Sequence, residues 1–350
     1  MIYKNTYIDF SLLWQKRLKV SKEALEIYCS SDVIDAHTDT YIWKRLINYD
    51  LTKKHKKSLF SFNNQFDYPK CIKSGITGVV MDIVTNPFIR DNNKFSSLRN
   101  NINIILKDLN SLNNYFSFVR NYNEYLQARK NNKIAVWLSI QGGNSLSELN
   151  EIDFIPEIHR ITLVHLTNNK IGKSSLSFNQ YEGLSKYGKN YIDKMIDNKI
   201  LIDLSHINKG AFYDIDKYIP KSNTLVVTHT GVNGVRKSWR NLDDDQIKII
   251  AKRNGFIGII FERNFLSYNP FKCSSNDIIK HIEYVINLVG DDFVGLGSDY
   301  DGMITLPRDF KDVTYQPILV QKMLEKRWSI ERIKKILGKN FLRVVKDFNS

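Results

Sequence analysis

Four histidines and an aspartate stand at the ends of short apolar segments. His37 and Asp39 end the first of these segments, and His165, His206 and His229 end three later ones. Residues two apart on an extended chain point to the same side, so His37 and Asp39 can share one target. Imidazole nitrogen and carboxylate oxygen together suit zinc or a similar divalent ion. The residue types and their spacing therefore predict a divalent-metal site built from several segments.

Eight short segments rich in Val and Ile alternate with longer segments of helical periodicity. The apolar segments are 33–37, 76–84, 133–140, 161–166, 200–205, 224–229, 256–261 and 292–298. Several of them lack polar alternation, which is typical of parallel strands buried on both faces. Eight strand–helix repeats predict a (β/α)₈ TIM-type barrel. A doubly wound open sheet is the alternative, and the absence of a GxGxxG or P-loop motif disfavours it.

The helical segments and the two ends of the chain complete this prediction. Helical spacing is found in residues 96–112, 187–199, 243–254 and 276–290, and again near 315–327 and 329–347. Because no clear linker interrupts the pattern, residues 1–350 are predicted to form a single barrel domain. Within it, residues 1–32 are predicted as a helical extension on the barrel exterior, and residues 305–350 as helices that close the last unit.

Active sites of such barrels gather at the C-terminal ends of the strands. Two further polar motifs occupy predicted strand ends: QGG, which begins at Gln141, and SDYDG, which contains Asp299. The remaining histidines, His55, His159 and His281, fall in predicted loop or helix contexts and are interpreted as structural. Four of the seven histidines and a late aspartate thus converge on one face of the predicted barrel. This arrangement resembles that of the amidohydrolase type of metallohydrolase.

The charge of the chain is strongly basic. The formal net charge is +14, and the sequence pI is about 9.4. The basic residues are scattered and no nucleic-acid-binding module is found, so the excess is interpreted as a surface bias that would also favour a carboxylate-bearing substrate. No apolar run approaches transmembrane length. The predicted partner is a small peptide-like molecule, with neither nucleic acid nor membrane.

The number and spacing of the cysteines indicate the cellular compartment of the protein. Cys29, Cys71 and Cys273 lie far apart, and their odd number includes no CxxC pair. This favours reduced thiols over a disulfide scaffold or a thiolate metal site. The N-terminal segment is interrupted by charges and shows no signal-peptide pattern. The expected location is the cytoplasm.

Six blocks narrow the functional prediction. They are DAHTDT, SIQGGNSL, ITLVHLTNN, GLSKYGKNYIDKMIDNKILIDLSHI, THTGVNGV with the following RN, and VGLGSDYDGM. In this order, they resemble the blocks of the membrane (renal) dipeptidase family, peptidase family M19. The IDLSH and GLGSDYDG blocks are the most specific. The resemblance extends from Val33 to Val345. It implies a barrel that holds two zinc ions and hydrolyses dipeptides, including dehydropeptides and peptides with a D-residue on the C-terminal side, and it allows a homodimer.

The resemblance also assigns roles to residues. It implies that His37 and Asp39 bind one ion and that His206 and His229 bind the other. The bound metal would acidify a water molecule to create the nucleophile. The resemblance further implies that His165 contacts the substrate and stabilises the oxyanion, and that Arg240 binds the substrate carboxylate. It implies that Asp299 acts first as the general base and then as the general acid. The alternative for Arg240 is a surface salt bridge beside the helix start at NLDDD.

One motif departs from the family pattern. The family has a bridging glutamate in EGG, whereas this chain has Gln141. A bridging carboxylate gives each ion an oxygen and places negative charge between two dications that lie about 3.5–4 Å apart. A neutral amide does neither well, so weaker binding of at least one ion is predicted. Three outcomes stay open: a mononuclear hydrolase, a weakly binuclear one, or an impaired or repurposed relative that binds or processes a peptide-like metabolite.

Overall fold

Nine parallel strands form one sheet in the computed structural model, which describes residues 12–55, 63–84, 91–146 and 148–348. The strands are β1 (Ile34–Thr38), β2 (Gly78–Val84), β3 (Phe116–Phe118), β4 (Ile134–Gln141), β5 (Ile158–Thr162), β6 (Leu201–Asp203), β7 (Leu225–Thr230), β8 (Phe256–Ile259) and β9 (Val294–Leu296). Eight of them follow one another in the order β1-β2-β4-β5-β6-β7-β8-β9, and β3 pairs only with β4. The predicted (β/α)₈ barrel is confirmed.

Helices connect and surround the strands. They are α1 (Leu12–Leu18), α2 (Lys22–Cys29), α3 (Tyr41–Ile47), α4 (Tyr68–Ser74), α5 (Asp91–Ser111), α6 (Tyr122–Lys130), α7 (Lys186–Asp197), α8 (Lys209–Tyr218), α9 (Asp244–Lys252), α10 (Arg263–Leu266), α11 (Ser275–Val289), α12 (Pro317–Glu325), α13 (Ile330–Lys334) and α14 (Asn340–Phe348). The predicted helix 329–347 is interrupted, because a π-helical turn, Lys335–Lys339, separates α13 from α14. Within the described ranges, no helix combines the length and apolar character needed to cross a bilayer.

One predicted strand was wrong in position, and one strand was not predicted. The fourth predicted strand, 161–166, is shifted, because β5 is Ile158–Thr162 and His165 follows it by three residues. His159 and Arg160 are buried inside this strand, and their polarity hid its beginning. The short strand β3 was not predicted, because a three-residue strand carries almost no periodic signal.

Polar contacts bring the first and last barrel strands together at the mouth. Thr38 and Tyr300 form a parallel bridge. The Asp39 amide donates to the Tyr300 carbonyl at 2.9 Å, and the Asp299 amide donates to the His37 carbonyl at 3.1 Å. The barrel therefore closes through the segments that carry three of the predicted site residues.

Apolar packing holds the frame beneath this polar mouth. One large cluster of buried side chains joins the strands to the surrounding helices. A second cluster joins barrel strands to α14, where the Phe341 ring packs edge-on against Trp137 and Phe256, each at a centroid distance of 5.5 Å. Close packing of this kind leaves little freedom for the strand ends, so the side chains at the mouth are presented by a rigid scaffold.

Candidate metal centre

The end of the Gln141 side chain lies among the predicted metal ligands. Its hydrogen bonds are satisfied when the amide nitrogen donates to the two Asp39 carboxylate oxygens, at 2.8 and 3.2 Å, and the amide oxygen accepts from His37 Nε2 at 3.2 Å. That same terminal atom lies 3.4 Å from His206 Nε2 and 3.3 Å from His229 Nε2. Gln141 therefore occupies the central position between the two half-sites, as its place in the motif predicted.

The candidate ligand atoms lie close together. His206 Nε2 and His229 Nε2 are 2.8 Å apart, and His37 Nε2 is 3.3 Å from Asp39 Oδ1. Ligand atoms of His37, His229 and Asp299 all lie within 4.8 Å of one another. Bond lengths of about 2.0–2.1 Å to zinc place neighbouring tetrahedral ligands roughly 3.3–3.4 Å apart. The nitrogen and carboxylate donors therefore fit a divalent ion in chemistry. The spacing of His37 and Asp39 matches this value, whereas the two nitrogens of His206 and His229 lie closer together than ligands of one tetrahedral ion.

Neighbouring groups orient the histidine rings. His37 Nδ1 lies 2.9 Å from Asp82 Oδ2, and His229 Nδ1 lies 3.2 Å from Thr228 Oγ1. A partner on Nδ1 directs the Nε2 atom of each ring at the site, where it can bind a metal once that nitrogen is unprotonated. Burial alone would lower the pKa of His37, but the Asp82 and Asp39 carboxylates raise it well above its ordinary value. The Asp82 contact therefore gives the His37 ring a strongly basic character.

The other two candidate ligands are held neutral. Burial lowers the pKa of His206 and of His229 well below the ordinary value, and the Arg240 and His37 charges act in the same direction. Neutral imidazole is the form that binds metal. These two rings therefore need no deprotonation before they take an ion.

Asp299 reaches the site from a strained turn. Its backbone is in the left-handed region at φ 65°, as is that of His206, also at φ 65°. A Cβ at Gly302 would clash with Asp299 Oδ1, so glycine at this position makes room for the carboxylate. Asp299 Oδ1 lies 3.5 Å from His37 Nε2, and burial raises the pKa of Asp299 to about 7. Backbone strain held by a rigid surrounding is typical of functional positions.

His165 and Arg240 flank the same cluster. The His165 ring lies edge-on to the His206 ring at a centroid distance of 4.7 Å, and burial lowers its pKa to about 4. Arg240 is only 5% exposed, and its Nη2 donates to the His229 carbonyl oxygen at 2.5 Å. The alternative of a surface salt bridge for Arg240 is wrong. Arg240 and His206 line one narrow crevice, together with the half-exposed Trp239, so a guanidinium faces a space beside the ligands.

The remaining histidines have varied settings. His55 lies in a loop and His281 in α11, as predicted. His159 lies in β5, so its predicted loop or helix setting was wrong. The His281 ring contacts two backbone groups, the Val232 amide and the Leu266 carbonyl, at 2.9 and 3.0 Å. His281 therefore joins two mouth loops and does not reach the ligand cluster.

Three buried charged residues escaped the sequence reasoning. Asp82, Arg160 and Asp203 are fully buried. Asp82 and Arg160 contact His37 Nδ1, at 2.9 and 3.5 Å, and Asp203 pairs with Arg160. A signal for each was present, because a lone charge inside an otherwise apolar strand requires a buried partner. The sequence does not say which partner, because the three residues belong to three different strands.

A family comparison agrees with this geometry. A sequence profile described as membrane dipeptidase (peptidase family M19) matches residues 21–350. The chain belongs to this family. The predicted family membership is thereby confirmed over almost the whole sequence.

Two relatives match part of the chain. An uncharacterized protein in the pqqA 5′ region of Klebsiella pneumoniae is 35% identical over 168 residues, which cover 47% of this chain and 61% of that protein. Dipeptidase tcpJ of Claviceps purpurea is 29% identical over 216 residues, which cover 60% of this chain and 50% of that protein. The matched regions thus span less than two thirds of either relative.

Solved structures of other proteins share the fold. The probable dipeptidase PvdM from Pseudomonas aeruginosa superposes with a TM-score of 0.81 at 16% identity, covering 95% of this chain and 98% of that one. A metallo peptidase from Rhodobacter sphaeroides, liganded with a phosphinate mimic of the dipeptide L-Ala-D-Ala, superposes with a TM-score of 0.80 at 21% identity, covering 90% and 98%. At such identities the likeness establishes the barrel and its connections.

Proposed function

We propose that this protein is a zinc-dependent dipeptidase that hydrolyses the amide bond of a dipeptide or a dipeptide-like small molecule. One observation carries the proposal: imidazole and carboxylate groups from several strand ends converge around Gln141 at the mouth of an M19 barrel. His37, Asp39, His206 and His229 would hold the metal. The family match and the dipeptidase named among the relatives support this activity over other amidohydrolase reactions.

The side chains around the ligands supply the remaining chemistry. A bound divalent ion would acidify a water molecule and polarise the scissile carbonyl. The Asp299 carboxylate would accept a proton from the attacking water and return it to the leaving amine. His165 would contact the oxygen that becomes negative, and the Arg240 guanidinium would hold the substrate carboxylate. The buried position of Arg240 beside His229 supports its role in orientation, because a desolvated guanidinium binds an anion strongly.

Metal content and turnover test the proposal together. Elemental analysis of the purified chain loaded with zinc should give one or two ions, and a panel of L-L, L-D and dehydro dipeptides should contain at least one substrate. His229→Asn is the matched negative control, because it removes a ligand but keeps the size of a polar side chain. A metal-loaded protein that turns over none of the panel would contradict a dipeptidase. If that protein still bound a dipeptide, the repurposed relative would be the better description.

Substitution of Arg240 tests the carboxylate clamp. Arg240→Met should raise KM for a dipeptide by roughly 30-fold or more, because losing one partner of a buried charged pair costs about 2–5 kcal/mol. The same dipeptide with an amidated C-terminus should be a poor substrate for the wild-type protein and should lose little more in the variant. Michaelis–Menten kinetics on both substrates measure this. An equal loss on both substrates would place the effect at the His229 carbonyl contact and contradict the clamp.

Several expectations about the setting of the protein stay predictions. Cys29, Cys71 and Cys273 are buried and unpaired with one another, which supports the proposed location in the reducing cytoplasm. The homodimer and the single-domain organisation are proposals too. We further propose that the basic surface has no nucleic-acid partner, and binding to DNA that survives physiological salt would overturn this.

A further inference from the structure

A buried arginine lies at the centre of the barrel next to the candidate metal centre. Arg160 of β5 is fully buried, whereas the interior of such barrels is usually filled by branched aliphatic side chains. Its Nη2 lies 2.6 Å from Asp82 Oδ2, and its Nη1 pairs with Asp203 Oδ2. A buried charge is tolerated only when it is paired and hydrogen-bonded, and here one guanidinium joins two carboxylates from different strands.

The first carboxylate leads to one half of the metal centre. Asp82 Oδ2 accepts from Arg160 and also lies 2.9 Å from His37 Nδ1. A carboxylate that holds the Nδ1–H of a ligand histidine fixes the tautomer and makes Nε2 more basic. Arg160 therefore fixes the position of the group that orients His37.

The second carboxylate leads to the other half. The Thr228 hydroxyl donates to Asp203 Oδ2 at 2.6 Å and accepts from Arg160 Nη1 at 2.5 Å. A hydroxyl has one proton and two lone pairs, so the remaining lone pair can accept from His229 Nδ1, which lies 3.2 Å away. With its Nδ1 proton held there, His229 presents Nε2 to the site.

We infer that Arg160 is a positioning residue that holds the two half-sites in register through two arms: Asp82 to His37, and Asp203 with Thr228 to His229. The inference rests on the metal site proposed above. It matters in this chain because Gln141, which lies between the half-sites, is neutral. With no carboxylate between the half-sites, this buried network supplies a charged connection between the His37 and His229 rings, in addition to their contacts with the neutral Gln141 amide.

The hydrogen bonds of each arm can be removed by a separate substitution. Asp82→Asn keeps an acceptor of the same shape but removes its charge, and Thr228→Val keeps the shape but removes the hydroxyl. Arg160→Lys keeps a buried cation, but its single ammonium cannot span both carboxylates in the planar fork that Arg160 provides. Arg253→Lys is the matched control, because Arg253 is also buried and pairs with Asp216, at 2.6 Å, in a different part of the fold.

Two readouts separate positioning from simple stability. Nitrogen-15 NMR of the metal-free protein reports the hydrogen bonding of each histidine Nδ1: Arg160→Lys should shift the Nδ1 signals of both His37 and His229, Asp82→Asn mainly that of His37, and Thr228→Val mainly that of His229. Titration with Co²⁺, followed by its visible absorption, should show affinity weakened by about 10- to 100-fold in each site variant. Arg253→Lys should leave both readouts unchanged even if its melting temperature falls.

The outcomes are distinguishable. Unchanged Nδ1 signals and Co²⁺ affinity in a folded Arg160→Lys protein would overturn the inference. If that variant fails to fold, the two arm variants decide, and wild-type behaviour of both would overturn it equally. A wild-type protein that binds no divalent metal would contradict the proposed function, and the Nδ1 signals of the metal-free protein would still support or overturn the role of Arg160.

Discussion

Asp299→Asn should lower kcat for the best dipeptide by about 100- to 10,000-fold, the range that a positioned general base contributes. Asparagine keeps the shape of the side chain but cannot accept the proton from water. The Asp299 carboxylate is placed for this task, because it is buried and its Oδ1 lies 3.5 Å from Nε2 of the candidate ligand His37. Steady-state kinetics at saturating substrate measure kcat, and the metal content of each preparation must be measured alongside, since Asp299 also lies within reach of an ion.

Asp301 provides the matched control for that experiment. It lies two residues further along the same turn, but its carboxylate accepts from the backbone N–H of Gln65 at 2.7 Å and from the Thr40 hydroxyl at 2.8 Å. Asp301→Asn should therefore destabilise the loop, by about 1–3 kcal/mol for a disturbed buried hydrogen bond, with little change in kcat. If Asp299→Asn retained full activity at full metal occupancy, or if both variants lost kcat alike, the general-base role would be contradicted.

Much of the fold follows from local patterns. Continuous Val and Ile segments predict buried parallel strands because such strands have no polar face, and the helical spacing between them predicts the crossovers. Barrel geometry then brings the C-terminal ends of the strands together, which is why His37, His206 and His229 could be grouped before any contact was known. The boundary of β5 was lost for the opposite reason: His159 and Arg160 are polar yet buried.

The contacts around the site could not be predicted in the same way. That Arg160 pairs with Asp82 and Asp203 depends on how three strands are arranged across the barrel, and a strand pattern does not encode this. The burial of Arg240 was missed for a related reason, because its position depends on the fold of a mouth loop held by Asn241 and His281. A local sequence pattern shows which face of a strand or helix is apolar. The position of a buried charge depends on partners that are distant in the sequence, and a local pattern does not identify them.

Gln141→Glu should strengthen metal binding and move the stoichiometry towards two ions per chain. A carboxylate at this position would give each ion an oxygen and would reduce the repulsion between them. Substitution of a group that only supports a metal ligand typically changes the metal affinity by roughly 10- to 100-fold. A carboxylate that binds the ion directly should therefore raise the affinity for the weaker ion by more than this. Zinc titration by calorimetry and elemental analysis after dialysis would measure both quantities. Gln321→Glu, which adds the same charge at a partly exposed position of α12 where the side chain contacts Ser21, should change neither.

Without metal, the Gln141→Glu protein should be less stable than the wild-type protein. The Gln141 amide donates to both Asp39 oxygens, at 2.8 and 3.2 Å, and a glutamate would place a second negative charge against them. Like charges this close disfavour each other, so the melting temperature without metal should fall below that of the wild-type protein. Since ligands that bind only the folded state stabilise it in proportion to their affinity, zinc should raise the melting temperature further in Gln141→Glu than in the wild type. A variant that binds zinc no more tightly and melts unchanged without it would show that residue 141 does not connect the half-sites, and the number of ions would then depend on the two pairs of ligands alone.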